Sequence, residues 1–270
     1  MPDAVQLQDL VIRVGERVLV DHVDLSLAAS ELVGLVGSSG SGKSLTAKSM
    51  LGLVDLEPGV VEGELRITVG AVEHRPYASC RGAGRRARDR AFHAVRGGLV
   101  GYLPQDPRDA LDPLARVGRQ VGSVARLGGH GPDPLPWLGR ANLPQPERVA
   151  RLYPHELSGG MAQRVVIAQA LARGSRFLLA DEPTSALDPT VQAAILRELR
   201  RLVDEDGLGV LLITHDLRVL PGLADRLVIL AAGRVVERTT PEALRDGDVH
   251  SEAAVALVEA TRAVAAGVLG

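Results

Sequence analysis

The clearest chemistry lies in Gly37-Ser38-Ser39-Gly40-Ser41-Gly42-Lys43-Ser44, which fits the spacing G-x4-G-K-[ST]. Glycines at these places let backbone N–H groups wrap a β-phosphate. Lys43 then reaches the β and γ oxygens, and the Ser44 hydroxyl can ligate Mg²⁺. A second candidate, Phe177-Leu178-Leu179-Ala180-Asp181-Glu182, is an apolar run ending in two carboxylates. If it is a strand of a parallel sheet, its end faces the ligand crevice. Asp181 can complete a Mg²⁺ shell directly or through water, and Glu182 is placed to polarise an attacking water. An acidic pair after a strand would by itself be a helix cap or a solvated turn; beside a phosphate loop, the catalytic reading is the stronger one.

Four further places fit a nucleotide or anion site. Thr214-His215-Asp216 ends another apolar run, so His215 is expected at the same crevice edge. Gln105, in Leu103-Pro104-Gln105-Asp106-Pro107, follows the short run Gly98 to Leu103, where a neutral amide can touch Mg²⁺ or the water. Ser185-Ala-Leu-Asp188-Pro189 makes a tight turn into a helix; by spacing alone Asp188 is an ordinary N-cap. Finally, Ser158-Gly159-Gly160 stands directly before a long, mostly apolar helical run. Free N–H groups and the helix dipole point the same way there, which makes a second anion site in a chain that already has one.

These residues need elements to hold them. Alternating runs at 11–14, 18–20 and 23–27 predict a small antiparallel sheet, with 61–70 as a further edge strand. Glu31 to Gly37 reads as a strand and Lys43 to Val54 as a helix. Residues 76–98 are basic and poorly periodic, which favours a solvated connection over a nucleic-acid patch, since aromatic interleaving is missing. Gly101 to about Pro154 is rich in Pro and Gly and reads as a mostly helical insert. Helix 160–172, strand 176–180, helix 190–203, strand 210–214, helix 217–224 and strand 226–231 follow. Such alternation means a parallel sheet covered on both faces. The tail from Pro241 to Gly270 reads as helical.

Composition sets outer bounds. A chain of 270 residues with 46% hydrophobic and 24% charged residues can bury a substantial core. A formal charge of -2 argues against nucleic acid as an obligatory partner. With Cys80 as the single cysteine, no internal disulfide or cysteine-based metal site is available, which fits a reducing compartment. The N-terminal residues lack the pattern of a signal peptide, and the apolar runs are too short to span a bilayer. Work at a membrane therefore requires docking onto something that spans it.

Taken together, the segments GSSGSGKS at 37–44, LPQDP at 103–107, LSGGMAQR at 157–164, FLLADEP at 177–183, SALD at 185–188 and THD at 214–216 resemble the ATPase subunit of an ABC transporter. The resemblance implies an α/β fold: a phosphate-loop NTPase core with a small antiparallel β subdomain and an inserted α-helical subdomain. It implies an ATPase domain over 1–240, the helical insert at about 104–160, and a C-terminal helical extension at 241–270. It also implies ATP and Mg²⁺ as cofactors. Lys43 and Ser44 would hold phosphates and Mg²⁺, and Gln105 would be the Q-loop residue. Ser158 to Gly160 would be the signature, Asp181 the Walker B aspartate and Glu182 the catalytic glutamate. Asp188 would be the D-loop aspartate and His215 the switch histidine.

One departure concerns the adenine. Where the family usually stacks an aromatic residue on the base, this chain has Val14, so weaker and less base-selective binding is expected. The segments QDPRDALDP, YPHELSGGMAQR and DEPTSALDPTVQAAIL are similar to ATPases of peptide and nickel importers, and the length and Val14 to the first ATPase of nickel-type systems. The resemblance then implies a second, non-identical ATPase, two permease subunits and an extracytoplasmic substrate-binding protein, with no nucleic acid. The chain would sit peripherally on the cytoplasmic face of the cell membrane, held there by the permeases, with the Gln105 insert against a permease coupling helix. An exporter ATPase, or a soluble ATPase of this family acting on DNA or ribosomes, is the alternative. The two anion devices would then grip different ATP molecules, each lying between Lys43 of one chain and the signature of its partner.

Overall fold

The computed structural model describes residues 2–80, 82, 84–185 and 187–265. Ala186, in the expected turn before Asp188, and residues 266–270 of the expected tail helix lie outside them.

Among the described residues the strands form two sheets. One is four-stranded, in the order β2-β1-β4-β5, from β1 (Ala4–Val14), β2 (Arg17–Ala28), β4 (Pro58–Val69) and β5 (Val72–His74). All its pairings are antiparallel. The other has the order β10-β9-β3-β8-β7-β6, from β3 (Leu32–Val36), β6 (Val100–Leu103), β7 (Phe177–Asp181), β8 (Gly209–Ile213), β9 (Arg226–Ala231) and β10 (Arg234–Thr239). It is parallel from β9 to β6, and β10 adds an antiparallel edge.

Why the inner strands read as unbroken apolar runs is visible in how their side chains divide. Leu178, Ala180, Val210, Leu212, Leu227 and Ile229 face one core; Phe177, Leu179, Leu211, Ile213, Val228 and Leu230 face another. Both faces are buried, so no polar alternation is required. The second core also holds Leu7, Ile12 and Val20 of the antiparallel sheet and Ala47 of helix α1 (Lys43–Ser49). Between 104 and 160 lie short helices, α4 (Val117–Leu127), α5 (Leu135–Arg140) and α6 (Pro146–Val149). Val117, Val121, Ala125 and Leu138 pack there onto α7 (Gly159–Arg173) in the first core. The helix α8 (Pro189–Asp206) covers the same face through Leu196, Leu199 and Leu202.

Four expectations are corrected. Segment 61–70 is not an edge strand, because β4 lies between β1 and β5. The helix expected over 43–54 stops at Ser49, and Gly52 takes φ +64 to reverse the chain. Helix 217–224 is a single 3₁₀ turn, Leu217–Val219, because Pro221 brings no N–H and Gly222 adopts φ +73. The basic stretch 76–98 is not simply solvated: it forms α2 (Pro76–Cys80) and α3 (Arg85–Ala91), and Tyr77, Cys80, Phe92 and Val95 are buried in the second core. Beyond β10, α9 (Pro241–Asp246) and α10 (Glu252–Ala265) follow. Glu237 ties the start of α10 down by accepting from the backbone N–H of His250 and Ser251 and from the Ser251 hydroxyl. Among the described residues no helix is long and apolar enough to cross a membrane.

Candidate functional site

The loop 37–42 turns straight from β3 into α1. Gly37 has φ +153 and its backbone presses against the Leu230 carbonyl of β9, leaving no room for a side chain. Ser38, Ser39 and Gly40 form an exposed crest, whereas Ser41 and Lys43 are buried behind it. Lys43 Nζ donates to the carbonyls of Gly37 at 2.9 Å and Ser38 at 2.8 Å, so its charge lies inside the loop. Burial lowers the Lys43 pKa, opposed by the nearby carboxylates Glu182 and Asp181.

The strand end of β7 lies beside this loop. The Ser44 hydroxyl donates to Asp181 Oδ1 at 2.8 Å, and the Tyr102 phenol donates to Asp181 Oδ2 at 3.0 Å. Asp181 is 6% exposed, with both carboxylate oxygens engaged. The Tyr102 pKa is raised, first by burial and then by the Asp181 charge, so the phenol is a proton donor at neutral pH. Glu182 follows with φ +47, a left-handed conformation that costs a non-glycine residue roughly 1–2 kcal/mol. The bond from its N–H to the Ile213 carbonyl holds it there. His215, beyond the end of β8, places Nδ1 3.2 Å from Glu182 Oε1. Lys43, Ser44, Asp181, Glu182 and His215 are thereby gathered on neighbouring strand ends.

Ser158, Gly159, Gly160, Gln105 and Asp188 gather separately, around one concavity also lined by Gln163. Ser158 caps α7, its hydroxyl accepting from Met161 N at 3.2 Å. Gly159 and Gly160 let α7 approach the next segment: a Cβ would lie 2.8 Å from Leu187 Cδ2 and 2.5 Å from Val191 Cγ1, respectively. Asp188 caps α8 through the N–H groups of Thr190 and Val191. Gln105 Nε2 donates to Ser185 Oγ at 3.3 Å, and Ser185 Oγ in turn donates to the Glu182 carbonyl at 3.2 Å. Ser185 therefore links Gln105 to the backbone of Glu182.

Val14 stands at the open end of the β1–β2 hairpin, paired with Arg17 and Pro58 and 40% exposed. The same hairpin reaches the phosphate loop where Leu19 and Val20 lie against Gly42.

Tyr102 and Gln163 were not singled out by sequence. A half-buried tyrosine in an apolar strand signals a hydroxyl in need of a partner. Gln163 is buried with its carbonyl oxygen unpartnered, and no spacing rule marks it. Away from this region Asp9, His22 and Glu62 bring potential metal-ligating atoms within 4.8 Å of one another, an exposed group that sequence spacing hides because it spans three strands. The hydrogen bond to Asp9 raises the His22 pKa, consistent with an ion pair.

Residues 20–185 match the family described as "ABC transporter". The chain is 39% identical over 240 residues to the peptidoglycan transport ATP-binding protein YejF of Agrobacterium fabrum, covering 87% of this chain and 42% of that protein. It is 38% identical over 231 residues to a putative peptide import ATP-binding protein of Brucella abortus, covering 83% of this chain and 67% of that one. The chain thus spans less than half the length of the first of these relatives and about two thirds of the second. Among solved structures it superposes on the dimeric ATP-binding cassette MJ0796, in a post-hydrolysis state bound to ADP and Pi, with a TM-score of 0.67 and 28% identity over 88% of this chain and 98% of that one.

Proposed function

The chain belongs to the ABC transporter family, and from that premise we propose that it hydrolyses ATP to power solute import through separate permease subunits. The observation that carries the reading is the junction of Ser44, Asp181, Glu182 and His215 beside the Lys43 loop.

In this reading the loop amides and Lys43 hold the phosphates, and Glu182 orients the attacking water with His215 at its carboxylate. The paired oxygens of Ser44 and Asp181 are hard donors of the kind Mg²⁺ takes, so the residues fit that ion. Bound there, Mg²⁺ would neutralise phosphate charge. Gln105, by donating to Ser185, connects the insert between 104 and 160 with the segment that follows Glu182. Ser158 to Gly160 and Asp188 would face an ATP held by a partner ATPase, as the dimeric form of MJ0796 suggests by analogy.

The names of the relatives favour a peptide or a peptidoglycan fragment as solute over a nickel chelate. A non-identical ATPase, two permeases and an extracytoplasmic binding protein complete the proposed assembly, which places the chain at the cytoplasmic face of the membrane. The ATPase domain is proposed as 1–240, with the helical insert at about 104–160 and an extension from 241. The test is Glu182→Gln: ATP binding should persist while turnover falls about 10²–10⁴-fold, the usual worth of a general base. Turnover within a few-fold of wild type would remove Glu182 from the mechanism.

A further inference from the structure

We infer that Tyr102 is a positioning residue for the metal-binding carboxylate, an inference that rests on the ATPase reading above. Asp181 has two carboxylate oxygens and two hydroxyl donors: Ser44 at 2.8 Å on Oδ1 and Tyr102 at 3.0 Å on Oδ2. The two donors play different parts. Ser44 belongs to the phosphate loop and would itself bind the ion through its oxygen lone pairs while still donating its proton to Oδ1. Tyr102 comes from β6, the neighbour of β7, and its Cα pairs in register with Leu179, two residues before Asp181. It donates to the oxygen that Ser44 does not, so that together the two donors fix the rotation of the carboxylate plane.

The phenol suits this task better than a flexible side chain. Its ring packs against the second core, so the hydroxyl is delivered by a rigid strut rather than by a mobile one. Without the hydroxyl, a 6%-exposed carboxylate would keep only one of its side-chain donors and could turn away from Ser44. Hydrogen bonds to ligating groups tune metal affinity, and removing one typically costs about 10–100-fold. Tyr102 also lies three positions before Gln105 on the chain segment leaving β6, so the strand that positions Asp181 is the one that leads into the Gln105 turn.

Tyr102→Phe removes the hydroxyl and keeps the ring. Two binding measurements on the whole chain decide the matter: ATP in EDTA, by calorimetry, and Mn²⁺ in the presence of saturating ATP, by its electron spin resonance. The expected result is Mn²⁺ affinity weakened about tenfold, with ATP affinity in EDTA within twofold of wild type. Mn²⁺ affinity equal to or tighter than wild type would overturn the positioning role. An equal loss in both measurements would do the same, since it would mean the ring had merely shifted the loop. If the wild-type chain binds ATP neither in EDTA nor with Mg²⁺, the ATPase reading itself fails and the inference falls with it.

Discussion

The phosphate loop and the Ser158–Gly160 helix start are both anion-binding devices by sequence, and the fold treats them differently. Around the loop, the side chains close on one another: Lys43 onto loop carbonyls, Ser44 onto Asp181, Glu182 onto His215. At the helix start, among the described residues, the Ser158 hydroxyl accepts from its own helix, and the two glycines serve a close approach to Leu187 and Val191. The loop side draws its lysine, hydroxyl, carboxylate and histidine contacts from one chain. The signature side is packed from behind and open in front. The two-chain site proposed above would join one such half from each chain.

The sharpest way to break this contrast is at Gly160. In Gly160→Val a side chain must enter space held by Val191, at a cost of about 1–3 kcal/mol. A lowered Tm with unchanged ATP binding by the isolated chain is expected. If ATP binding fell in step, the two halves would not be separate. Next in size is Gln105→Ala, which removes the donor to Ser185 linking the insert to the segment after Glu182. Coupling of this kind is typically worth about tenfold. Transport should fall by that factor while ATP affinity measured by calorimetry stays within twofold; equal losses would end the coupling role. The smallest effect is expected at Val14, 40% exposed at the hairpin end. A base-stacking ring is worth about 1–3 kcal/mol. Val14→Tyr should therefore tighten ATP binding toward the lower end of that range, readable by competition binding.

Much of this contrast was legible in the sequence because both devices are local. A phosphate loop needs eight consecutive residues between a strand and a helix, and an N-cap needs three. The parallel core was legible for a related reason: strands buried on both faces, such as Phe177–Asp181 and Gly209–Ile213, must be apolar throughout. What escaped depends on residues far apart in the chain. Tyr102 meets Asp181 across neighbouring strands, and nothing in Val-Gly-Tyr-Leu announces that partner. Segment 76–98 looked solvated because its apolar residues are few and unevenly spaced, yet Tyr77 and Phe92 pack edge to face and fill the space beside α1. At 217–224 the apolar count suggested a helix, and the single Pro221-Gly222 pair decided otherwise.

The signature is proposed to act on an ATP held by another chain. Sedimentation velocity of the Glu182→Gln chain, alone and with the proposed second ATPase, with and without ATP, tests it. An ATP-dependent dimer is expected that disappears when Ser158→Arg is added, although that variant still binds ATP through its own Lys43 loop. A dimer that forms equally well with Ser158→Arg would contradict it.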